Sequence, residues 1–259
     1  MLDFDQIRAQ YPDHLQAFDR ALLREYLQYK ILQGIFESKF AGQLAFLGGT
    51  ALRIVHGNNR FSEGIDLDNF GLDWKAFESL IEIVQRFMEL EGYEVEIRNV
   101  AKGAYRCTLR FPDVLFEQGI SPYQEEKILI QIDTAAQGYD YLPEVRILNK
   151  FDVFTQIRVT PVNILLSQKI FAAVNRKRPK GRDFFDITFL LGRTKPDLDF
   201  LRLKLGIHSA AELRQEILDR TANLDLQILA QDVAPFVMNT SEIRRVETFR
   251  EVWKQAALD

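Results

Sequence analysis

Two aspartates follow a paired-glycine turn in the N-terminal third of this chain. Gly48 and Gly49 end a short apolar run and are followed by Thr50, and the motif Asp66-Leu67-Asp68 comes shortly afterwards. Hard cations such as Mg²⁺ take oxygen ligands, usually one or two carboxylates together with substrate phosphate oxygens. Side chains two residues apart on a strand point the same way. We therefore expect Asp66 and Asp68 to share one metal ion or to bridge two.

The glycine turn adds a candidate phosphate site to these carboxylates. A strand that stops at Gly-Gly and continues as a helix presents backbone N–H groups and the positive end of the helix, and both attract phosphate. Glycine lets a phosphate approach without a Cβ in the way, and the Thr50 hydroxyl is a further donor. A Gly-Gly-Thr turn alone is more often only a turn, so the interpretation depends on the combination.

A third carboxylate is predicted on another strand. Between residues 127 and 134 three isoleucines alternate with Leu129, Gln131 and Asp133. This alternation predicts a strand with Asp133 on its polar face, where it could complete a two-metal site. Each aspartate alone fits a solvated surface position, but the set with the glycine turn favours a metal site.

The C-terminal half offers cations and further carboxylates. Lys169 and Arg176 lie together on one side of a predicted amphipathic helix over residues 163–176. The next predicted helix is apolar on nearly all sides, so its Asp183 and Asp186 should be buried and would be costly unless paired.

The expected partners of these two carboxylates are Arg182, Arg176 and Lys169. A structural ion cluster and the wall of an active site are both consistent with such pairing.

Residues 176–182, called the basic segment below, hold five cations in seven positions. Charge runs usually form solvated loops. Beside a triphosphate site, this one could instead hold nucleotide phosphates or an RNA backbone.

Composition limits the class of protein. A chain of 259 residues with 47% hydrophobic and 27% charged residues can form one large domain or two modest ones. Its net charge of −4 excludes a strong attraction of the whole molecule to nucleic acid. The lone Cys107 excludes an intramolecular disulfide. The acidic N-terminus, beginning at Met1, lacks a signal-peptide pattern, and no long apolar run predicts a membrane span, so we expect a cytoplasmic protein.

Periodicity predicts an α/β N-terminal half on a mixed sheet and a helical C-terminal half, with a boundary near residues 159–161. The corresponding domains are 1–160, which includes an N-terminal helix, and 161–259, a helical domain that completes the active site. The predicted helices before the boundary cover residues 14–40, 50–56 (with Thr50 near its N-cap) and 74–90, and the predicted strands cover 43–47, a segment from 65, 93–100, 105–111 and 127–134.

Taken together, the segments 46–53, 60–68, 130–133 and 166–191 resemble the AbiEii/AbiGii nucleotidyltransferase toxins, the toxic partners of bacterial type IV toxin–antitoxin systems. The resemblance implies a polymerase-β-like nucleotidyltransferase fold, an α/β (α+β) fold with a mixed sheet, followed by a helical C-terminal domain. It also implies Mg²⁺, a nucleoside triphosphate and a cognate antitoxin protein.

The resemblance assigns roles to residues of this chain. The candidate metal ligands are Asp66, Asp68 and Asp133. The candidate catalytic residues are Asp66, Asp133, Lys169, Asp183 and Asp186. The candidate nucleotide-binding residues are Gly48, Gly49, Thr50, Arg53, Ser62, Lys169, Arg176 and Arg182.

One position departs from the family pattern. Family members commonly read Ser-Glu-Asp-hydrophobic-Asp where this chain has Ser62-Glu63-Gly64-Ile65-Asp66, so Gly64 replaces the first aspartate of the pair. Either Asp66 and Asp68 serve as the pair, since a two-residue slip keeps both on one strand face, or the metal site lacks a ligand.

The leading hypothesis is a magnesium-dependent nucleotidyltransferase toxin that transfers nucleotides to RNA, most plausibly a tRNA 3′ end. A protein hydroxyl is an alternative acceptor. A nucleotide-binding protein with impaired catalysis is the alternative that Gly64 suggests. A metal-dependent nuclease built from Asp133 and the Glu125-Glu126-Lys127 pattern is another.

Overall fold

The computed structural model describes residues 2–102 and 104–259. Met1, at which the acidic N-terminal segment begins, and Gly103 lie outside them. The chain forms two compact units. The first comprises residues up to His56 together with Phe61–Gly138 and Pro143–Val159, and the second comprises Gly57–Arg60, Tyr139–Leu142 and Thr160–Asp259.

The first unit combines helices with a mixed sheet. Its helices are α1 (Phe4–Arg8), α2 (Asp19–Phe36), α3 (Gly48–Ile54), α4 (Trp74–Leu90) and α5 (Val114–Glu117), with 3-10 turns at Asp13–Leu15 and Ala41–Gln43. Its strands are β1 (Leu44–Leu47), β2 (Ile65–Asn69), β3 (Glu96–Lys102), β4 (Ala104–Phe111), β5 (Ile128–Ala135), β6 (Glu144–Lys150) and β7 (Val153–Val159).

These strands form a seven-stranded sheet, within the described residues, in the order β3-β4-β5-β2-β1-β7-β6. Strand β2 pairs antiparallel with β1 and parallel with β5, and β1 pairs parallel with β7. The mixed sheet predicted from the sequence is therefore confirmed. Strands β1, β2 and β5 are the three central strands of the sheet, so each of them has a neighbouring strand on both sides.

Local sequence explains the elements next to the site. In β5 the side chains of Ile128, Ile130 and Ile132 are buried while the alternate positions are more exposed, so the period-2 pattern fixes the face that meets the core. Helix α4 begins after Asp73, whose carboxylate accepts the Ala76 N–H. It ends before Gly92, which adopts a φ of 93°.

The second unit is helical, as predicted. Its helices are α6 (Val162–Asn175), α7 (Gly181–Leu191), α8 (Leu198–Leu205), α9 (Ala210–Thr221), α10 (Leu226–Val233), α11 (Arg244–Glu247) and α12 (Phe249–Gln255), with 3-10 turns at Ala234–Phe236 and Thr240–Ile243. Helix α7 contacts α6, α10, α11 and α12. Because four helices surround it, its nearly all-apolar sequence is buried. The rings of Phe184 and Phe249 pack edge to face, with their centroids 4.9 Å apart.

Several predicted boundaries were wrong. The predicted helix 14–40 is a 3-10 turn followed by the shorter α2, which is preceded by Phe18 as its N-cap. Thr50 is not near the N-cap of α3, because the helix already begins at Gly48 and Leu47 is its N-cap. The hairpin β6–β7 was not predicted.

No helix among the described residues is long and apolar enough to cross a membrane.

Candidate functional site

The glycine turn lies directly against an aspartate side chain. Strand β1 ends at Leu47 and α3 begins at Gly48, whose φ of 80° lies in the left-handed region that favours glycine. A Cβ at Gly48 would overlap the Asp66 Oδ2 atom. Both the backbone angle and the lack of room for a Cβ therefore require glycine at position 48. Because Gly48 has no side chain, the Asp66 carboxylate can pack directly against the turn.

The sheet register brings two of the predicted carboxylates together. Asp66 pairs with Leu47 on one side and with Asp133 on the other. Residues in register on paired strands point to the same face, and neighbouring strands lie about 4.8 Å apart. Asp66 and Asp133 thus lie side by side on one face of the sheet, at the strand end where the glycine turn begins.

Asp68 has a different environment. It pairs with Ala45 and Ala135, and it is only 2% exposed. Its Oδ1 accepts hydrogen bonds from the backbone N–H groups of Asn69 at 2.8 Å and Gln137 at 2.9 Å. Within residues 2–102 and 104–259, no group of three or more His, Cys, Asp or Glu side chains is arranged to hold a metal ion. Asp68 is therefore buried and hydrogen-bonded to the backbone, and its role as a third metal ligand stays a prediction.

Asp133 carries side-chain partners on both oxygens. Arg106 Nε lies 2.6 Å from Oδ1, and Gln131 Nε2 lies 2.6 Å from Oδ2. The hydrogen bond and the charge of Asp133 raise the pKa of the Arg106 guanidinium. Half of the Arg106 side chain is exposed, so its guanidinium contacts Asp133 Oδ1 at a position that solvent can reach. Arg106 was not predicted as a partner, because its in-register position opposite Asp133 on β4 becomes visible only with the strand pairing.

Thr50 and Arg53 make contacts within the first unit. Thr50 is fully buried and its hydroxyl donates to the Gly64 carbonyl oxygen. Arg53 Nε lies 2.7 Å from Oε2 of the buried Glu25. Burial alone would raise the pKa of Glu25, but the charges of Arg53 and Lys150 lower it below its ordinary value. Arg53 thus neutralises a buried carboxylate, and the nucleotide-binding roles of Thr50 and Arg53 stay predictions.

Ser62 and Gly64 lie in the segment that enters β2. The Ser62 carbonyl accepts a hydrogen bond from Gln28 Nε2 at 2.9 Å. A Cβ at Gly64 would lie 3.0 Å from the Gln131 carbonyl oxygen on β5. The position therefore has little room for any side chain, and the neighbour that crowds it is backbone.

The second unit contains a buried ion cluster around Asp186. This fully buried carboxylate accepts from Arg60 Nε at 2.7 Å and Nη2 at 2.6 Å, and from Asn58 Nδ2 at 2.8 Å. Lys169 Nζ lies 2.8 Å from its Oδ2. Burial would raise the pKa of Asp186, but Arg60 and Lys169 outweigh it and lower the pKa to about 2.

The neighbouring Asp183 shares this cluster. Its Oδ1 lies 3.4 Å from Lys169 Nζ, and its Oδ2 lies 3.1 Å from Arg176 Nε, which is an ion pair without hydrogen-bond geometry. The predicted partners Lys169 and Arg176 are therefore present, whereas Arg182 is exposed to solvent and is not among them.

Arg60 and Asn58 were missed as partners. Sequence periodicity gives no sign of a contact across more than 120 residues, and the only available signal was that a buried carboxylate requires cationic partners.

The acid–lysine pattern proposed for a nuclease is not a cluster. Glu126 pairs with Arg20, and Lys127 Nζ lies 2.9 Å from Glu96. These side chains form ordinary surface ion pairs at the start of β5.

Comparison with known proteins agrees with this architecture. JHP933 from Helicobacter pylori has a solved structure that aligns with a TM-score of 0.58 at 17% identity, covering 91% of this chain and 90% of that one. A second H. pylori structure, described as a "putative nucleotidyltransferase", aligns with a TM-score of 0.56 at 17% identity, covering 91% of this chain and 95% of that one. At this identity they show the fold alone, and they confirm the predicted nucleotidyltransferase fold. No curated protein matches the chain.

The sequence itself matches a family model over most of its length. The model describes the nucleotidyl transferase AbiEii toxin of type IV toxin–antitoxin systems, and it matches residues 30–255. The match includes the glycine turn, Asp66, Asp133 and the ion cluster of the second unit. This chain therefore belongs to the AbiEii family of nucleotidyl transferase toxins.

Proposed function

We propose that this protein is a magnesium-dependent nucleotidyltransferase that transfers nucleotides from a nucleoside triphosphate to an RNA acceptor, with the tRNA 3′ end as the favoured site. The observation that carries the proposal is the position of Asp66, beside Asp133 and against Gly48. Family membership supports the reaction class.

The donor set at this position fits Mg²⁺. Two carboxylates on adjacent strands supply hard oxygen ligands, and Mg²⁺ in nucleotide sites typically takes one or two carboxylates and completes its shell with phosphate oxygens and water. Asp66 and Asp133 would hold the ion, while Asp68 supports the backbone around them. When bound, Mg²⁺ would supply charge neutralisation on the phosphates.

The chemistry is a displacement at phosphorus. The acceptor hydroxyl oxygen forms a bond to the α-phosphorus, the bond between that phosphorus and the β-phosphate bridging oxygen breaks, and pyrophosphate leaves with the electron pair. The backbone N–H groups at the start of α3 would donate to the triphosphate, since Leu47 gives that helix no side-chain cap. Asp133 is the candidate to accept the hydroxyl proton once Arg106 has moved from it.

Lys169, Arg176 and Arg182 are proposed phosphate contacts by family resemblance. Lys169 is oriented by Asp183 and Asp186, so its ammonium is held in one position rather than sampling many rotamers. A lysine fixed in this way would bind phosphate with a smaller loss of side-chain entropy.

The cellular consequences follow from the family. A toxin of a type IV system has an antitoxin partner, and we propose growth inhibition in the cytoplasm through modified tRNA, relieved by that antitoxin. The same fold without transfer is a second candidate, and Gly64 is the observation that favours it.

The test is label transfer to total cellular RNA. Purified protein is incubated with each α-labelled nucleoside triphosphate, with Mg²⁺ or with EDTA, and the RNA is resolved on a gel. The proposal expects Mg²⁺-dependent label on small RNA with at least one triphosphate. Nucleotide-independent shortening would instead indicate a nuclease. Triphosphate binding without label on RNA or protein would indicate a binding module.

A further inference from the structure

The basic segment joins α6 to α7 and exposes its charges. Lys177, Arg178, Lys180 and Arg182 are all exposed. Among the described residues, none of these four side chains has a hydrogen-bond or ion-pair partner, whereas Arg176 reaches Asp183. Within the described part of the chain, four cations thus lie close together without an ion-pair partner.

This arrangement contrasts with the rest of the molecule. The chain carries 37 acidic and 33 basic residues. Many exposed cations elsewhere pair with a carboxylate, as Arg202 does with Asp199 at 2.8 Å and Arg220 with Glu216 at 2.8 Å. A concentration of unpaired positive charge on an acidic protein is the electrostatic footprint expected of a polyanion site.

The segment is fixed where it enters α7. The Gly181 N–H donates to Asp232 Oδ2 at 3.2 Å, and a Cβ at Gly181 would overlap the Leu229 carbonyl oxygen. At its other end Arg176 lies 3.1 Å from the buried Asp183. Because both ends are anchored, the segment loses less conformational freedom on binding than a free linker would, which reduces the entropic cost of association.

We propose that the basic segment binds the phosphate backbone of the RNA acceptor. Four exposed cations within six residues offer more charges than one triphosphate needs, which suits a row of phosphates. No aromatic residue lies within 176–182, so the contact would position RNA without stacking on its bases. The identity of RNA as a substrate rests on the proposed function, but binding can be measured without the reaction.

The experiment measures RNA binding by fluorescence anisotropy over a range of KCl concentrations, in EDTA and without nucleotide. The probe is a labelled single-stranded RNA oligonucleotide. The test variant combines Lys177→Gln, Arg178→Gln and Lys180→Gln and leaves Arg182, a candidate nucleotide ligand, unchanged. The control variant makes the same charge change at three other exposed cations of the second unit, through Lys195→Gln, Arg202→Gln and Arg220→Gln.

Each phosphate contact contributes about 0.7 to the slope of log K against log salt for single strands. The proposal therefore expects the test variant to lose about 2 from the slope. The double variant Lys177→Gln/Arg178→Gln should lose about 1.4, and the control should keep the wild-type slope. Triphosphate affinity, measured separately, should not change.

Equal slopes for the test variant and the wild type would overturn the proposal, as would weakened triphosphate binding with unchanged RNA binding. Neither result depends on transfer activity, so failure of the proposed function is detected separately by the label-transfer assay. Thermal melting of each variant checks that the fold is kept.

Discussion

At the scale of single residues, Arg106 contacts the Asp133 oxygen that we propose as a ligand of the metal ion. The pair is half exposed, and such ion pairs contribute up to about 1 kcal/mol. We predict that Arg106→Gln, which removes the competing charge, strengthens Mg²⁺ binding in the absence of nucleotide by up to about fivefold.

Isothermal titration with Mg²⁺, or Mn²⁺ binding followed by electron paramagnetic resonance, measures this affinity. Arg110→Gln is the matched control, since Arg110 lies on the same strand but faces Glu96 at 3.9 Å. An unchanged or weaker affinity in Arg106→Gln would show that Arg106 does not compete for the ion.

Gly64 is the residue at which the sequence left two outcomes open. The 3.0 Å approach to the Gln131 carbonyl means that Gly64→Asp forces backbone to move, and overpacking of this kind typically costs about 1–3 kcal/mol. We predict that Gly64→Asp lowers the free energy of unfolding by that amount and gives no gain in transfer.

Urea denaturation and the label-transfer assay check the two parts. Gly64→Ala should show a similar loss of stability, because it introduces the same Cβ, whereas Gly42→Ala should not, since the nearest atom to its Cβ would be a side-chain nitrogen at 3.9 Å. A stable Gly64→Asp protein with increased transfer would mean that the natural chain is impaired by its glycine.

At the scale of elements, the ion cluster on α6 and α7 makes stability depend on pH. The folded-state pKa of Asp186, about 2, lies below its ordinary value of 3.8. A lowered folded pKa stabilises the protein above the unfolded pKa, and this stabilisation is lost as pH falls through the folded pKa. We predict that Asp186 contributes roughly 2 kcal/mol at neutral pH, lost between about pH 4 and pH 2.

Urea denaturation at a series of acidic pH values compares the wild type with Asp186→Asn. The variant should lack that part of the pH dependence and, at pH 7, should lose about 3–5 kcal/mol because the buried Arg60 loses its carboxylate partner and Lys169 keeps only Asp183. The exposed Asp199→Asn is the control. An unchanged acid profile in Asp186→Asn would contradict the assignment. For the same reason Lys169→Ala should destabilise the fold, so it is a poor probe of catalysis alone.

Elements whose apolar residues follow a regular helical or strand spacing were predicted well, and elements without such a spacing were not. The predicted bounds of α4, residues 74–90, agree with the structure, in which Asp73 caps its N-terminus and Gly92 follows its end. Strand β6 was missed because its apolar residues fall on both faces: Val145 and Ile147 are 58% and 62% exposed while Leu148 is buried. Edge strands lack the half-buried alternation on which the prediction depends.

At the scale of the whole molecule, chemistry-bearing residue types could be identified from the sequence but their partners could not. Asp66 and Asp133 were predicted as neighbours, and the register of β2 and β5 confirms that they are adjacent. The hydrogen bond that Asp68, a predicted third ligand, accepts from the Gln137 backbone 69 residues away could not be predicted. Contacts across such separations depend on the folded topology, which composition and spacing do not contain.

The central claim is that Asp66 lies in the reacting site. Its most direct test is label transfer to RNA by Asp66→Asn, a substitution that keeps the shape of the side chain and removes its charge. The exposed Asp140→Asn is the matched control. Loss of a metal-ligand partner alone typically costs 10–100-fold, so we predict that losing the ligand lowers transfer by more than about 100-fold. Melting temperature should stay close to that of the wild type, and the control should transfer normally. Transfer by Asp66→Asn at the wild-type rate would contradict the account.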